Sequence, residues 1–439
     1  MCRTLIAGAS LALLVAIAAC ERGGAARAPF RAASDDTSRA AVAVGDDTSH
    51  AGGAAEPTPS ARATTGDTLR ARVELTIGEG ADVEQMFGKV SGLALDDAGR
   101  LYVADFLEAR LVVFGADGRP LATIGRKGRG PGEFEAPTGP ALAPDGTLHV
   151  RDLSAVKRFA VDPATGIASR YEDSFAGPAL ANWTSLRSSA IDRSGRFYFP
   201  HRIWESARDT VAHFYLRYDT AGAFVDTVPV PYHRSPATPT AFYWIGPGDG
   251  RMVPGLNRVP FAPEPVWTVT AGGTVVSGDA RRYELVESDA RGRVLRQFGR
   301  PVAPRPVVES ERDDSLRALR ARIDSAPVPL ARLQGVPEEV RARRLPETYP
   351  AYVGVVAADD GSVWVRRWPP ADGRARTLFD VFDAERRFRA VVELPIMLAP
   401  EPAPAIRGDV VVGVVRDPAT DLATVVRLRL PASPLPRPE

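Results

Sequence analysis

Apolar residues along this chain alternate in short runs, and the runs come in fours. Between residues 90 and 124, apolar runs at 93–95, 101–104, 111–114 and 121–124 are separated by Asp97-Ala98-Gly99 and Ala116-Asp117-Gly118. Alternating Val, Ile, Leu and Tyr positions bounded by Asp-Gly punctuation predict antiparallel strands joined by tight hairpins. Four such strands make one propeller blade. A single blade leaves its faces exposed, so neighbours are required. Looser copies begin near residue 139, then at 187–230, 264–298 and 352–394, and a sixth near 406 supplies only three strands. A lone apolar run at 72–78, RVELTIG, has no hairpin partner before it. It is expected to serve as the outermost strand of the incomplete last blade, closing the ring and removing its edges. The expected fold class is therefore all-β: a six-bladed β-propeller of four-stranded antiparallel blades over residues 71–431, closed by the N-terminal strand. An insertion between blades four and five, about 308–345, carries Leu316, Leu319 and Ile323 on one helical face, with Ser310 or Asp313 as its cap and a second short helix near Pro337.

The N-terminus has a different pattern. Arg3 precedes an apolar run at 5–19, too short to span a bilayer, which ends Ile17-Ala18-Ala19-Cys20. Small residues before a Cys at this place resemble the lipobox of bacterial lipoproteins. The resemblance implies cleavage before Cys20 and acylation of its thiol and amino group, with a membrane as partner and the bacterial cell envelope, periplasmic or surface-facing, as location. Each acyl methylene buried in lipid contributes about 0.8 kcal/mol. Residues 21–70 are rich in Ala, Gly, Ser, Thr, Asp and Pro and read as a flexible linker. Such a coil spans about 40 Å. Residues 432–439 form a short C-terminal tail.

The first blade also carries a family resemblance. Gly92-Leu-Ala-Leu-Asp96, Gly99-Arg-Leu-Tyr-Val-Ala-Asp105, Arg110-Leu-Val-Val-Phe114 and Asp117-Gly118 look like an NHL-type repeat, and GRKGRGPGEF at 125–134 is similar to an inter-blade segment of bacterial six-bladed propellers. The resemblance is close in the first blade and only a pattern thereafter. It implies a scaffold that binds proteins, peptides or other ligands, with a minority of enzymes among such propellers.

Composition narrows the partners. A net charge of +1, with 44% hydrophobic residues, argues against nucleic acid. Only Lys89, Lys127 and Lys157 are lysines among 55 basic residues; the acidic residues balance the arginines, so the Arg excess is not a phosphate-binding signal. The cysteines, Cys2 and Cys20, lie outside the repeats, so no disulfide or thiolate metal site supports the fold. No HExxH, GxSxG or Walker loop occurs, and Ser154-Ala-Val-Lys157 enters a strand rather than a helix. His50, His149, His201, His213 and His233 show no metal-ligand spacing. No cofactor, metal ligand or catalytic residue is assigned.

Turns between first and second strands, and between third and fourth, lie on one propeller face, and here they are all short. The long connections, 125–137, 200–210, 231–263, 299–350 and 368–376, share the other face. Long loops on a rigid scaffold usually carry function. Candidate ligand-binding residues on that face are Arg126, Arg129, Arg151, His201, Trp204, Tyr232, His233, Tyr243, Arg258 and Arg366. Aromatics with arginine are the chemistry of protein hot spots, and aromatics also stack on sugars. Phe242 and Trp244 suit a plug against the propeller top. Gly128-Arg-Gly130-Pro-Gly132 suits a tight crossover, because a strand follows and Pro131 removes a donor a phosphate cradle would need. Asp105, Asp152 and Asp279 follow second strands, where they either ring the channel mouth or cap the next loop. The function expected is a lipid-anchored envelope module binding a protein, peptide or glycan. The alternative is a metal-dependent hydrolase or lactonase, which needs convergent carboxylates where Arg151, Arg366 and Arg367 stand.

Overall fold

A computed structural model describes residues 67–78, 86–153, 155–178, 189–205, 210–236, 242–245, 252–255, 260–324, 346–370, 372–417 and 420–431. Two strands precede the first blade, β1 (Asp67–Arg70) and β2 (Arg72–Ile77). Blade 1 is β3 (Val90–Leu95), β4 (Leu101–Asp105), β5 (Arg110–Phe114) and β6 (Pro120–Ile124). Blade 2 is β7 (Pro137–Leu142), β8 (Leu148–Asp152), β9 (Ala155–Val161) and β10 (Ala168–Ala176). Blade 3 is β11 (Ala190–Ile191), β12 (Phe197–Glu205), β13 (Thr210–Tyr218) and β14 (Phe224–Pro236). A separate hairpin, β15 (Phe242–Ile245) and β16 (Met252–Gly255), precedes blade 4. Blade 4 is β17 (Val266–Val269), β18 (Val275–Gly278), β19 (Glu284–Ser288) and β20 (Val294–Gly299). The insertion holds α1 (Glu309–Asp324). Blade 5 is β21 (Gly354–Ala357), β22 (Val363–Arg366), β23 (Thr377–Phe382) and β24 (Phe388–Leu394). Blade 6 contributes β25 (Ala405–Arg407), β26 (Val410–Arg416) and β27 (Ala423–Arg429).

The chain is a six-bladed propeller of four-stranded antiparallel sheets. Ring closure is as the sequence predicts: β2 pairs antiparallel with β27, from Arg72 opposite Arg429 to Ile77 opposite Val425. The linker expectation is corrected at its last residues. Asp67–Arg70 adds to blade 5 as a fifth strand, parallel to β24, with Asp67 opposite Ala390 and Arg70 opposite Glu393. Ala71, buried between them, donates its N–H to the Glu393 carbonyl (2.9 Å) and carries the chain from blade 5 to blade 6. One segment thus ties two blades.

Each of the six gaps between blades holds its own apolar cluster, because strand residues alternate toward the blades before and after. The gap between blades 6 and 1 is filled by Ile77, Val90, Val103, Val412 and Val425, all nearly fully buried. Among the described residues, the gap between blades 2 and 3 has the fewest buried hydrophobics. Its buried hydrophobics are Val156, Phe197 and Phe199, beside buried His149 and Arg151. Innermost strands come close at Gly92, where a Cβ would sit 2.3 Å from the Pro140 ring, so only glycine fits.

Two expected loops are largely strand. β12 and β13 run together to Glu205 opposite Thr210, and β14 continues to Pro236 opposite Thr210, so residues 200–205 and 231–236 extend the blade-3 sheet. Helix α1 starts at Glu309, one residue before Ser310 and four before Asp313, the expected caps. Ser310 and Asp313 lie inside it, and Glu311 reaches back to accept the Val308 N–H (3.1 Å), as an acid in a first turn does. Leu316 is half-buried; the side chains of Leu319 and Ile323, the second helix near Pro337, Cys20, the linker before Asp67 and the tail lie outside the described residues.

Candidate functional site

The two faces of the ring are built by different local chemistry. The short-turn face repeats an Asp-x-x-Gly-Arg device. Asp96, Asp192 and Asp289 each accept the N–H four residues on (2.8, 3.1 and 3.0 Å) and pair with that residue's guanidinium (2.6, 2.8 and 3.1 Å). The glycine between sits at φ 75°, 79° and 79°, a conformation that carries a side chain only at a cost. In blade 5 Arg386 takes the glycine's place at φ 67°, and its buried guanidinium forms a two-point pair with Glu287 of blade 4 (2.8 and 3.0 Å).

The innermost strands enclose a central cavity of about 610 Å³. Its wall mixes aliphatic residues, Leu93, Leu142, Ile191, Val266 and Val355 among them, with charged ones at both ends. At the short-turn end, arginines cross it. Arg407 of blade 6 pairs with Asp97 of blade 1 and with Asp359 of blade 5 (3.5 Å). Arg193 of blade 3 donates to the Asp359 carbonyl (2.9 Å). These contacts span four of the six blades and strap that mouth. Asp97, Arg193 and Asp359 are turn residues and Arg407 ends β25, and only ring geometry makes them neighbours.

The opposite mouth lies among the long connections, and there second-strand ends act on the segments that lead into blades. Asp105 accepts the Gly88 and Lys89 N–H groups (3.0 Å each). Asp152 accepts those of Glu135 and Ala136 (3.0 and 2.7 Å) and pairs with buried Lys157 (2.9 Å). Both acids hold the segment before their own blade. They neither ring the channel nor cap the following loop, whereas Asp279 does accept the Arg281 N–H (3.0 Å). Asp152→Asn is expected to cost about 2 kcal/mol, because a charged acceptor of two N–H groups and an ammonium is lost. A lower denaturant midpoint with an unchanged m value checks it.

Arg151 and Arg366 occupy the same place in blades 2 and 5, the fourth residue of the second strand, and do the converse. Arg151 donates to the Pro178 carbonyl (3.1 Å) and lies over the Phe199 ring (5.5 Å). Arg366 donates to the carbonyls of Ala399 (2.9 Å) and Leu398. Both are buried, and burial without a carboxylate nearby lowers each guanidinium to about 10. Arg151 is therefore a latch between blades rather than an exposed binding residue. Arg366 is a latch that also lines the cavity.

The other sequence candidates are dispersed. Arg126 and Arg129 are exposed and pair within their own loop, to Glu133 (2.9 Å) and Glu135 (2.7 Å). Residues 125–134 form the expected crossover, with Glu133 accepting the Gly130 N–H (2.9 Å). His201 is half-buried against Phe214 (5.1 Å between ring centres), and burial and the Arg151 charge hold it below its ordinary value. Trp204, Tyr232, His233 and Tyr243 lie in β12, β14, β14 and β15; their side chains, and Arg258 altogether, are outside the described residues. The insertion is pinned to this face by Phe261, Tyr349 and Trp368, with Tyr349 4.9 Å from each of the other two rings. Among the described residues no three His, Cys, Asp or Glu side chains are placed to hold a metal ion, and no helix is long and apolar enough to cross a membrane.

No protein-family model matches the chain, and no curated protein sequence does. Solved structures match over most of its length. A member of the DUF4221 family from Bacteroides vulgatus is 9% identical, with 83% of this chain and 98% of that one covered and a TM-score of 0.44. Virginiamycin B lyase from Staphylococcus aureus is 12% identical over 82% of this chain and 100% of its own, with a TM-score of 0.38. The calcium-binding protein regucalcin from Agrobacterium tumefaciens is 12% identical over 83% and 96%, with a TM-score of 0.36.

Proposed function

We propose that this chain is an envelope binding module, anchored by acylated Cys20 and presenting the long-connection face of its propeller to a protein, peptide or glycan. The observation that carries the reading is the contrast between the faces. Three turns of one face are each consumed by their own Asp, Gly and Arg, and its channel mouth is strapped by Arg407 and Arg193. The other face carries the extended blade-3 sheet, the β15–β16 hairpin and the insertion. Elaboration confined to one face of a rigid ring is what a recognition surface requires.

The test uses a photo-crosslinking amino acid in the full-length protein in its native cells. Placed at Trp204 or Tyr243 it is expected to yield a discrete adduct, and at Asp117 or Arg291 none. Equal labelling from both faces, or none from the first, sinks the reading. Cys20→Ala is expected to move the protein from the membrane to the soluble fraction; retention there contradicts lipid anchoring. A stoichiometric divalent ion that raises the melting temperature would favour the metal-dependent hydrolase instead.

A further inference from the structure

We propose that the central cavity is a binding site for a small apolar anion, a carboxylate on an aliphatic or aromatic body, with Arg366 as its charge anchor. The inference rests on the binding-module reading and names a ligand class for its channel. A cavity of about 610 Å³ that combines aliphatic residues with a few charged ones is the size and character of a small-molecule site. Its charged groups separate into two sets. Asp96, Asp97, Asp192 and Asp359 are each paired with an arginine at the short-turn end. Arg366 is 9% exposed, lines the cavity toward the other end and has no carboxylate partner among the described residues. A guanidinium has five N–H donors, and the two backbone carbonyls engage only two of them. A buried cation with spare donors beside a cavity favours an anion that can take a two-point contact.

A second polar group points the same way. Ser189, 8% exposed, also lines the cavity, and its hydroxyl has no hydrogen-bond partner among the described residues. An unpartnered buried hydroxyl is destabilising unless something accepts or donates to it. Glu264 and Glu401 also line the cavity, and they disfavour a dianion over a monoanion. The strap of Arg407 and Arg193 leaves the long-connection face as the entrance.

The experiment titrates the intact protein by calorimetry with naphthalene-2-carboxylate and with its neutral isostere, naphthalene-2-carboxamide. One-to-one binding of the carboxylate, at least tenfold tighter than the amide, is expected; tenfold corresponds to about 1.4 kcal/mol. Arg366→Met should abolish the preference, and Arg366→Lys should keep part of it. Ser189→Ala should weaken the carboxylate a fewfold. Arg151→Met is the matched control: it removes the corresponding latch in blade 2, away from the cavity, and should leave the preference intact. Equal affinity for both probes, no binding of either, or equal loss in the Arg151 variant overturns the inference. If the probes fail while crosslinking from Trp204 or Tyr243 still succeeds, the channel assignment falls and the binding-module reading stands. If both fail, the reading itself falls.

Discussion

Replacing Asp380 by alanine is expected to destabilise the propeller by about 4 kcal/mol, within the range for removing one partner of a buried ion pair. Asp380 lies in β23 and is fully buried. It accepts the Tyr283 hydroxyl (2.5 Å), the Arg300 guanidinium (2.5 Å) and two donors of Arg367 (2.9 and 2.5 Å). Tyr283 and Arg300 belong to blade 4, so one carboxylate joins two blades. Burial first, and then the Asp380 charge, push the Tyr283 phenol well above its ordinary value, so it remains a donor at any physiological pH. Without the carboxylate, a buried hydroxyl and two guanidinium groups lose their common acceptor. The arginines are partly exposed, with side chains 21% and 28% accessible, and water recovers part of the loss. Tyr283→Phe is expected to cost about 1 kcal/mol, since it removes one neutral donor. The two changes should combine less than additively, because the hydroxyl has already lost its acceptor in the Asp380 variant. Urea unfolding of the three variants checks this. A cost below 1 kcal/mol for Asp380→Ala would show that the blade 4–5 junction does not depend on the network.

Acidification from pH 7 to pH 4 is expected to remove about 3 kcal/mol through His149 alone, since one pKa unit corresponds to 1.36 kcal/mol. His149 is buried on β8, edge-on to Phe197 with ring centres 4.4 Å apart, and its Nδ1 has no partner among the described residues. Burial first, and then the Arg158 charge, lower it from an ordinary 6.5 to about 4, against the opposing pull of Asp145 and Asp173. Between those values the unfolded chain holds a proton that the folded chain refuses. Stability therefore falls as pH falls through 6.5, and the loss is complete below about 4. At pH 5 it amounts to about 2 kcal/mol. His201, lowered in the same direction, adds to it. The effect is localised, because His149 sits in the gap with the fewest buried hydrophobics among the described residues. Amide exchange at pH 5 should quicken first in β8 and β12. His149→Leu should flatten the difference in stability between pH 7 and pH 5 relative to the parent. A variant with the parent's pH slope would remove His149 from the account.

The sequence alone determined the fold, its count and its closure. Alternation of period two with Asp-Gly turns specifies hairpins locally, and the deficit of one strand in blade 6 leaves β2 a single place to pair. It did not determine β1. Asp67–Arg70 joins β24 through backbone bonds, which leave no mark on side-chain patterning, and the adjoining residues are those of a linker. Nor did it show that residues 200–205 and 231–236 continue as strands, since their pairing is made by backbone bonds.

The site divides along the same line. That long connections gather on one face follows from strand parity and is legible in the chain. What the charged residues at the strand ends do is not. Arg151 and Arg366 read alike in sequence and form like latches, yet only Arg366 lines the cavity. Asp105 and Asp152 suit a ring at the channel mouth or a loop cap until their carboxylates are found on the backbone N–H groups that precede their own blades. The strap joining Arg407 to Asp97 connects residues about as far apart in the chain as the propeller allows. Such contacts exist only once the ring is closed, because closure alone brings the last blade beside the first.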